Sequence, residues 1–296
     1  PQAVVGLAPL HNPVGTFAGW LGNLDWMGVD DKASLIPFFT AGLADYTLSG
    51  DELDNNSVLE YAQKRGVTEE AIVNLLIPLT EGIFFLPPER YSAFVFMGIL
   101  VPGVKRPHTL RVGSFAGGMT AVMSGPIADA LARKGGTVTP NAEVERLVVE
   151  GGRVTGVVVN GETVRADHVI LATALAPAQR LIRDAFGEHA TFRDMLSLSS
   201  MPAVTLQIEL DGPALPKDHV VFSPKTVWAS YAEQSRTTFR DVPGRLSIDL
   251  AQPEKFVHMP PEEILAAALV DAKRLGIDIE GKIRDYRVIS HPEDFY

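Results

Sequence analysis

Residues 144–161 read Val144-Glu145-Arg146-Leu147-Val148-Val149-Glu150-Gly151-Gly152-Arg153-Val154-Thr155-Gly156-Val157-Val158-Val159-Asn160-Gly161. Two runs rich in β-branched residues, Val144 to Val149 and Val154 to Val159, flank Glu150-Gly151-Gly152-Arg153, a turn-forming sequence of hairpin length. Asn160-Gly161 is the pair best suited to a type I′ turn, where both central residues need positive φ, and it reverses the chain into Glu162 to Arg165. The reading predicts a three-stranded antiparallel meander.

The pattern changes on both sides of this meander. Downstream, Val169-Ile170-Leu171-Ala172 is a continuous apolar run that suits a strand buried on both faces, and Ala174 to Ile182 resumes helical spacing. Upstream, Gly113-Ser114-Phe115-Ala116-Gly117-Gly118-Met119 is a glycine-rich turn. A helix is expected to restart at Pro126 and to bury Ile127, Ala130 and Leu131 before Gly135-Gly136 stops it. In the last third, Ala203 to Leu210 alternates, with Val204, Leu206, Ile208 and Leu210 on one face and Thr205, Gln207 and Glu209 on the other, wet face. Further strands are expected at 219–222, 227–231, 246–250 and 286–289, with an amphipathic helix from Glu262 to Leu275 that Gly276 ends.

The first hundred residues read mainly as helix. Ser57-Val58-Leu59-Glu60 has the form of a capping box, in which hydroxyl and carboxylate satisfy each other's backbone donors, and Gly66 supplies a left-handed stop. Thr68 caps the next helix, whose Ile72, Leu75, Leu76 and Leu79 recur at helical spacing and whose Pro78 should kink or end it. A third helix is expected from Glu89 to about Leu100. The stretch from Ile83 to Val104 is apolar and aromatic but is interrupted by Glu89, Arg90 and prolines, so it does not read as a membrane-spanning helix. Its readings are a buried helix pair, an apolar ligand tunnel or a monotopic membrane contact.

Composition narrows the chemistry. At 296 residues and net charge −10, without a cluster of Lys and Arg, the chain is a poor nucleic-acid binder and has room for about two domains. It has no cysteine, which removes disulfides, thiolate catalysis and Cys-ligated metals. None of the seven histidines forms the i, i+4 pair of a helical zinc site, so no metal is expected. The glycine turn lacks the Lys-Ser/Thr of a P-loop, and Phe115 stands where a nucleophile elbow needs Ser. Local motifs therefore name no catalytic residue.

The order of elements is distinctive: glycine turn, helix, Gly-Gly, strand, meander, buried strand ending in Ala172-Thr173. With Gly117-Gly118-Met119, Ser124-Gly125-Pro126-Ile127, Lys134-Gly135-Gly136, Ala142-Glu143-Val144-Glu145-Arg146-Leu147, Gly152-Arg153-Val154-Thr155-Gly156-Val157 and Ala166 to Thr173, it resembles the middle of flavin-dependent oxidoreductases of the amine oxidase and phytoene desaturase superfamily. The aromatic region and the Ser-Gly-Pro-Ile helix start are most similar to the carotenoid desaturase branch. The resemblance implies an α/β fold of α+β type. A substrate domain of helices and mixed or antiparallel sheet (1–112 and 190–283) would be interrupted by part of a flavin domain bearing the meander (113–189), and 284–296 would begin the return to it. It implies FAD as cofactor of the parent protein, with the backbone of Val144 at the adenine and the small residues Ala172 and Thr173 beside the dinucleotide. Phe84, Phe85, Phe94 and Phe96 are the candidates for lining an apolar substrate site.

The family's opening G-x-G-x-x-G strand–helix unit and closing Gly-Asp stretch are not found between Pro1 and Tyr296. The chain is accordingly expected to be an internal fragment that is inactive alone and retains no flavin. The rival reading is a cofactor-free binding module for an apolar lipid or isoprenoid; a purely structural interaction protein gains no support from any feature. Expected partners are an apolar small molecule and no nucleic acid, with peripheral membrane contact and a homodimer covering exposed strand edges both left open. A cytoplasmic or peripheral membrane location fits.

Overall fold

The computed structural model describes residues 24–105 and 115–295. Two compact units divide the chain: one comprises the described parts of Pro1–Ala116 with Val204–Ile289, the other Gly117–Ala203 with Ser290–Tyr296.

The first unit opens with α1 (Val29–Leu48), a 20-residue helix that carries Pro37 and buries Leu35 and Phe38. A short α2 (Gly50–Asp54) leads to α3 (Val58–Lys64). The capping box forms as the sequence predicts, with Glu60 N donating to Ser57 Oγ at 3.1 Å and Ser57 N to Glu60 Oε2 at 2.9 Å. Gly66 follows at φ 73°. Thr68 caps the next helical turn, Glu69–Ala71, by accepting from Ala71 N at 3.3 Å.

Pro78 does not end the helix there. A π-helical turn at Ile72–Leu76 runs directly into α4 (Ile77–Phe84), so the proline falls in the first turn of the new segment, where its missing N–H removes little. Phe85 closes α4 in the left-handed conformation at φ 60°. The helix expected from Glu89 begins instead at Ala93 and runs to Lys105 as α5. Ser92 Oγ accepts from Val95 N at 3.3 Å, a cap that places the preceding four residues in a turn.

In the second unit a π-helical turn at Thr120–Ser124 feeds α6 (Gly125–Arg133). The meander is present: β1 (Val144–Glu150), β2 (Arg153–Val159) and β3 (Glu162–Arg165) pair antiparallel in the order β1-β2-β3. Asn160 and Gly161 take φ of 53° and 76°, as a type I′ turn requires. Behind β1 lie α7 (Leu175–Phe186) and α8 (Arg193–Ser197), which close a small core of Leu147, Leu181, Ile182 and Leu196.

Two expectations fail in this unit, and for one reason. No residue of α6 is buried, and Ile127 and Leu131 are exposed at 61% and 41%, because nothing among the described residues covers that face. The run Val169 to Ala172 joins no ladder: Val169 and Leu171 touch the small core while Ile170 between them is 89% exposed. A strand forms only where a neighbour takes its N–H and C=O groups, and no described strand lies alongside.

The chain then supplies the sheet of the first unit, β4 (Met201–Leu210), β5 (Val220–Phe222), β6 (Trp228–Glu233), β7 (Gly244–Leu250) and β8 (Ile283–Phe295), in the order β5-β6-β7-β4-β8. Val204, Leu206, Ile208 and Leu210 are fully buried against Ile264, Ala268 and Ala272 of α9 (Pro261–Leu275), so the predicted alternation holds. Each such Leu or Ile contributes roughly 2 kcal/mol. Trp228 joins them and donates its indole N–H to Ala268 O at 3.2 Å. Buried Glu233 gathers four donors, Ala214 N, Ser235 N, Ser235 Oγ and Arg245 N, and so fixes the loops at both ends of β6 and β7.

Candidate functional site

The face of this sheet opposite α9 is polar across its centre. Strand register places Phe222, Ser230, Asp249 and Thr205 in one transverse row over β5, β6, β7 and β4. Asp249 accepts from Ser230 Oγ at 2.9 Å and from Thr205 Oγ1 at 3.0 Å. Burial pushes its carboxyl above the ordinary carboxylate range, and the two hydroxyl donors pull against that shift. In the neighbouring positions Gln207 pairs with Ser247, and Arg245 donates to Gln207 Oε1 at 2.6 Å and to Glu209 Oε1 at 2.8 Å while its guanidinium lies 4.3 Å from the Phe239 ring centroid.

Helix α4 reaches the β5 end of this row. Gly82 is buried, and a Cβ built there would stand 2.5 Å from Phe222 Cδ1 and 3.0 Å from Ala229 O, so helix and strand backbones approach as only glycine allows. Two and three residues further lie Phe84 and Phe85, both half-buried. Phe84 stacks on Tyr91 with centroids 4.3 Å apart, and burial pushes the Tyr91 hydroxyl up to about 12. Phe94 stacks on Tyr46 at 4.5 Å, and Phe96 is buried at 4% exposure with its ring 6.1 Å from Phe38. The four phenylalanines thus occupy two places: Phe84 and Phe85 at the end of the helix that meets the sheet, Phe94 and Phe96 along α5 against α1. Neighbouring Glu81 is pushed up to about 7 by burial and by the nearby carboxylates of Glu89 and Glu254.

The sequence pattern marked Thr205, Gln207 and Glu209 as one wet face but gave no sign of Asp249, whose partners come from two other strands. Only the register of β6 on β7 and of β7 on β4 joins Ser230 to Thr205 through it.

The residues implied for a dinucleotide lie in the second unit. Val144 starts β1 just before a ladder irregularity at Arg146, which leaves its backbone less committed to the hairpin. Val144 and Leu171 border the same small core, and Ala172 and Thr173, next along, are exposed and small. These positions fit a cofactor held by backbone contacts. Gly117 takes φ 145°, whereas Gly113 and Ser114 of the glycine turn lie outside the described residues. A separate cleft of about 270 Å³ is lined by Asp45, Glu52, Tyr61, Lys64 and Arg65, but its charges are already engaged: Arg65 pairs with Asp45 at 2.7 Å and Lys64 with Asn56. Among the described residues no group of His, Asp and Glu is arranged to hold a metal ion, and no helix is long and apolar enough to cross a membrane.

The model of the flavin containing amine oxidoreductase family matches residues 10–293. The chain belongs to this family. Within the flavin containing amine oxidoreductases it is similar to 15-cis-phytoene desaturase of Synechococcus elongatus, with 23% identity over 96% of this chain and 63% of the relative. It is also similar to the Arabidopsis thaliana chloroplastic/chromoplastic 15-cis-phytoene desaturase, with 24% identity over 88% of this chain and 48% of that protein. The chain therefore spans about half to two thirds of these relatives. Its fold is similar to that of a putrescine oxidase variant, at a TM-score of 0.66, 18% identity, and coverage of 89% of this chain and 65% of the other. Family membership implies FAD as the cofactor of the parent protein, and the α/β architecture read from the sequence is the one found.

Proposed function

We propose that this chain is the substrate-binding part, with a portion of the flavin-binding part, of an FAD-dependent oxidoreductase that desaturates or oxidises an apolar, isoprenoid or carotenoid-like substrate. The similarity to two phytoene desaturases across nearly the whole chain carries this reading. Bound FAD supplies the hydride-accepting chemistry. The residues of this chain hold and orient: Val144, Ala172 and Thr173 would meet the cofactor through backbone and small side chains. Phe84, Phe85 and Phe94 would hold an apolar chain and exclude water. The substrate unit is proposed as 1–112 with 190–283, the flavin portion as 113–189, and 284–296 as the return to it.

We further propose that the chain does not turn over by itself, a reading that the uncovered apolar residues Ile127, Leu131 and Ile170 support. Purified chain is expected to be colourless after dialysis; yellow protein carrying stoichiometric FAD overturns this. For the substrate, polyene binding should weaken on Phe94→Asp, which replaces a ring stacked on Tyr46. Binding that survives unchanged removes that residue from the site.

A further inference from the structure

The polar row on the sheet asks for something a pure hydrocarbon does not have. A carboxyl group offers about four acceptor positions, and only two of those on Asp249 are taken, by Ser230 and Thr205. One position along the strands, the hydroxyl of Ser247 and the NH₂ of Gln207 have no protein partner among the described residues, since Gln207 is engaged only through Oε1. Thr205, Gln207, Ser247 and Asp249 are all partly exposed, so these groups are open to water. An alkyl chain laid over them would strip that water and return no hydrogen bond, at about 1–3 kcal/mol for each group left unsatisfied.

The row has a direction as well. Its β5 end is Phe222, against which Gly82 of α4 packs, with Phe84 and Phe85 beyond. Its other end is the carboxyl with its two hydroxyls. Apolar surface on one side and open acceptors beside an open amide donor on the other match a molecule with an apolar tail and a group that both donates and accepts. A hydroxyl does both, whereas an ammonium only donates and would leave the Gln207 NH₂ unmet.

We propose that Asp249, Ser230 and Thr205, with Gln207 and Ser247 beside them, form a recognition site for the hydroxyl of an alcohol whose apolar tail lies toward Phe222 and α4. This rests on the reading that the unit binds an apolar chain and adds a polar anchor to it. The site selects oxygenated ligands over hydrocarbons of the same length.

The test uses the whole chain with ¹³C-labelled threonine methyls, titrated with 1-dodecanol, dodecane, dodecylamine and farnesol. Dodecanol is expected to shift the Thr205 methyl signal and to bind at least about tenfold more tightly than dodecane, one hydrogen bond's worth of affinity. Asp249→Leu should erase that preference while dodecane still binds. The proposal is overturned if dodecane binds as tightly as dodecanol, if dodecylamine binds more tightly than dodecanol, if neither alcohol binds, or if Thr205 does not move. Should Asp249→Leu not fold by circular dichroism, the wild-type ratio and the Thr205 shift decide by themselves. Farnesol separates the two readings: affinity equal to that of dodecanol removes the isoprenoid preference and leaves the hydroxyl site standing.

Discussion

Substituting Gly82 by alanine should destabilise the first unit even though alanine is the better helix former. In a helix interior Gly→Ala gains about 1 kcal/mol. Against that, the new Cβ would stand 2.5 and 2.9 Å from the Phe222 ring and 3.0 Å from the Ala229 carbonyl, and the carbonyl belongs to the sheet backbone and cannot step aside. Overpacking of this kind costs about 1–3 kcal/mol, so the net loss should be about 1 kcal/mol. Gly42→Ala is the matched control: it also sits in a buried helical position, but all three of its close neighbours are atoms of the flexible Met97 side chain. Its helix gain should offset its crowding, which puts it near wild type. The measurement is urea unfolding followed by tryptophan fluorescence, with Trp228 of β6 beside the perturbed contact. Gly82→Ala equal to or above Gly42→Ala in stability would refute the claimed approach of α4 to the sheet. Gly82→Val should then be worse than Gly82→Ala, because its branches point into the same ring and carbonyl.

The remaining predictions concern single groups. Glu233→Gln turns one of two acceptor oxygens into a donor facing a backbone N–H, so it should cost about 1–3 kcal/mol in the same unfolding assay; an unchanged midpoint would show that the four donors do not depend on the carboxylate. The carboxyl of Glu81 is raised from 4.5 to about 7 by burial and by Glu89 and Glu254. The folded state thus holds its proton more tightly than the unfolded state, and stability present below about 4.5 should decline as pH rises toward 7. Glu81→Gln should flatten that decline, and a pH–stability curve that keeps its slope would remove Glu81 as the cause. Ser57→Ala should lose about 1 kcal/mol with the capping box, read as a lower urea midpoint. Ile170→Lys should leave stability within about 0.5 kcal/mol because the side chain is 89% exposed, and a larger loss would mean that it is packed after all.

What the sequence could show depended on how local each signal is. The meander, the capping box and the alternation of β4 are carried by neighbours a few residues apart, and each appears in the structure where its residues placed it. Asp249 was silent because its meaning comes from Ser230 and Thr205, which lie 19 and 44 residues away and meet it only through strand register. Val169 to Ala172 and Pro126 to Leu131 failed the other way. Their apolar patterns describe a burial that depends on neighbouring elements, and periodicity encodes the demand for a partner without supplying one. The start of α5 was misread because Pro87-Pro88 looked like the signal, while the cap in use is Ser92. Family resemblance reached further than local motifs: it found the fold and cofactor class through a stretch whose individual residues carry no reactive group.

The wide turn at Ile72–Leu76 bears on how this chain tolerates insertion and deletion. A π-helical turn holds one residue more than an α-helical turn spanning the same rise. Losing one residue from 72–76 would restore ordinary winding and rotate everything downstream by about 100°, since each residue advances an α-helix by 1/3.6 of a turn. Gly82 would swing away from Phe222 and a bulkier neighbour would meet the sheet. The composition of that helix would hardly change, yet its one close approach to the strands would be lost. The length of this segment is therefore under tighter constraint than the identity of most residues within it.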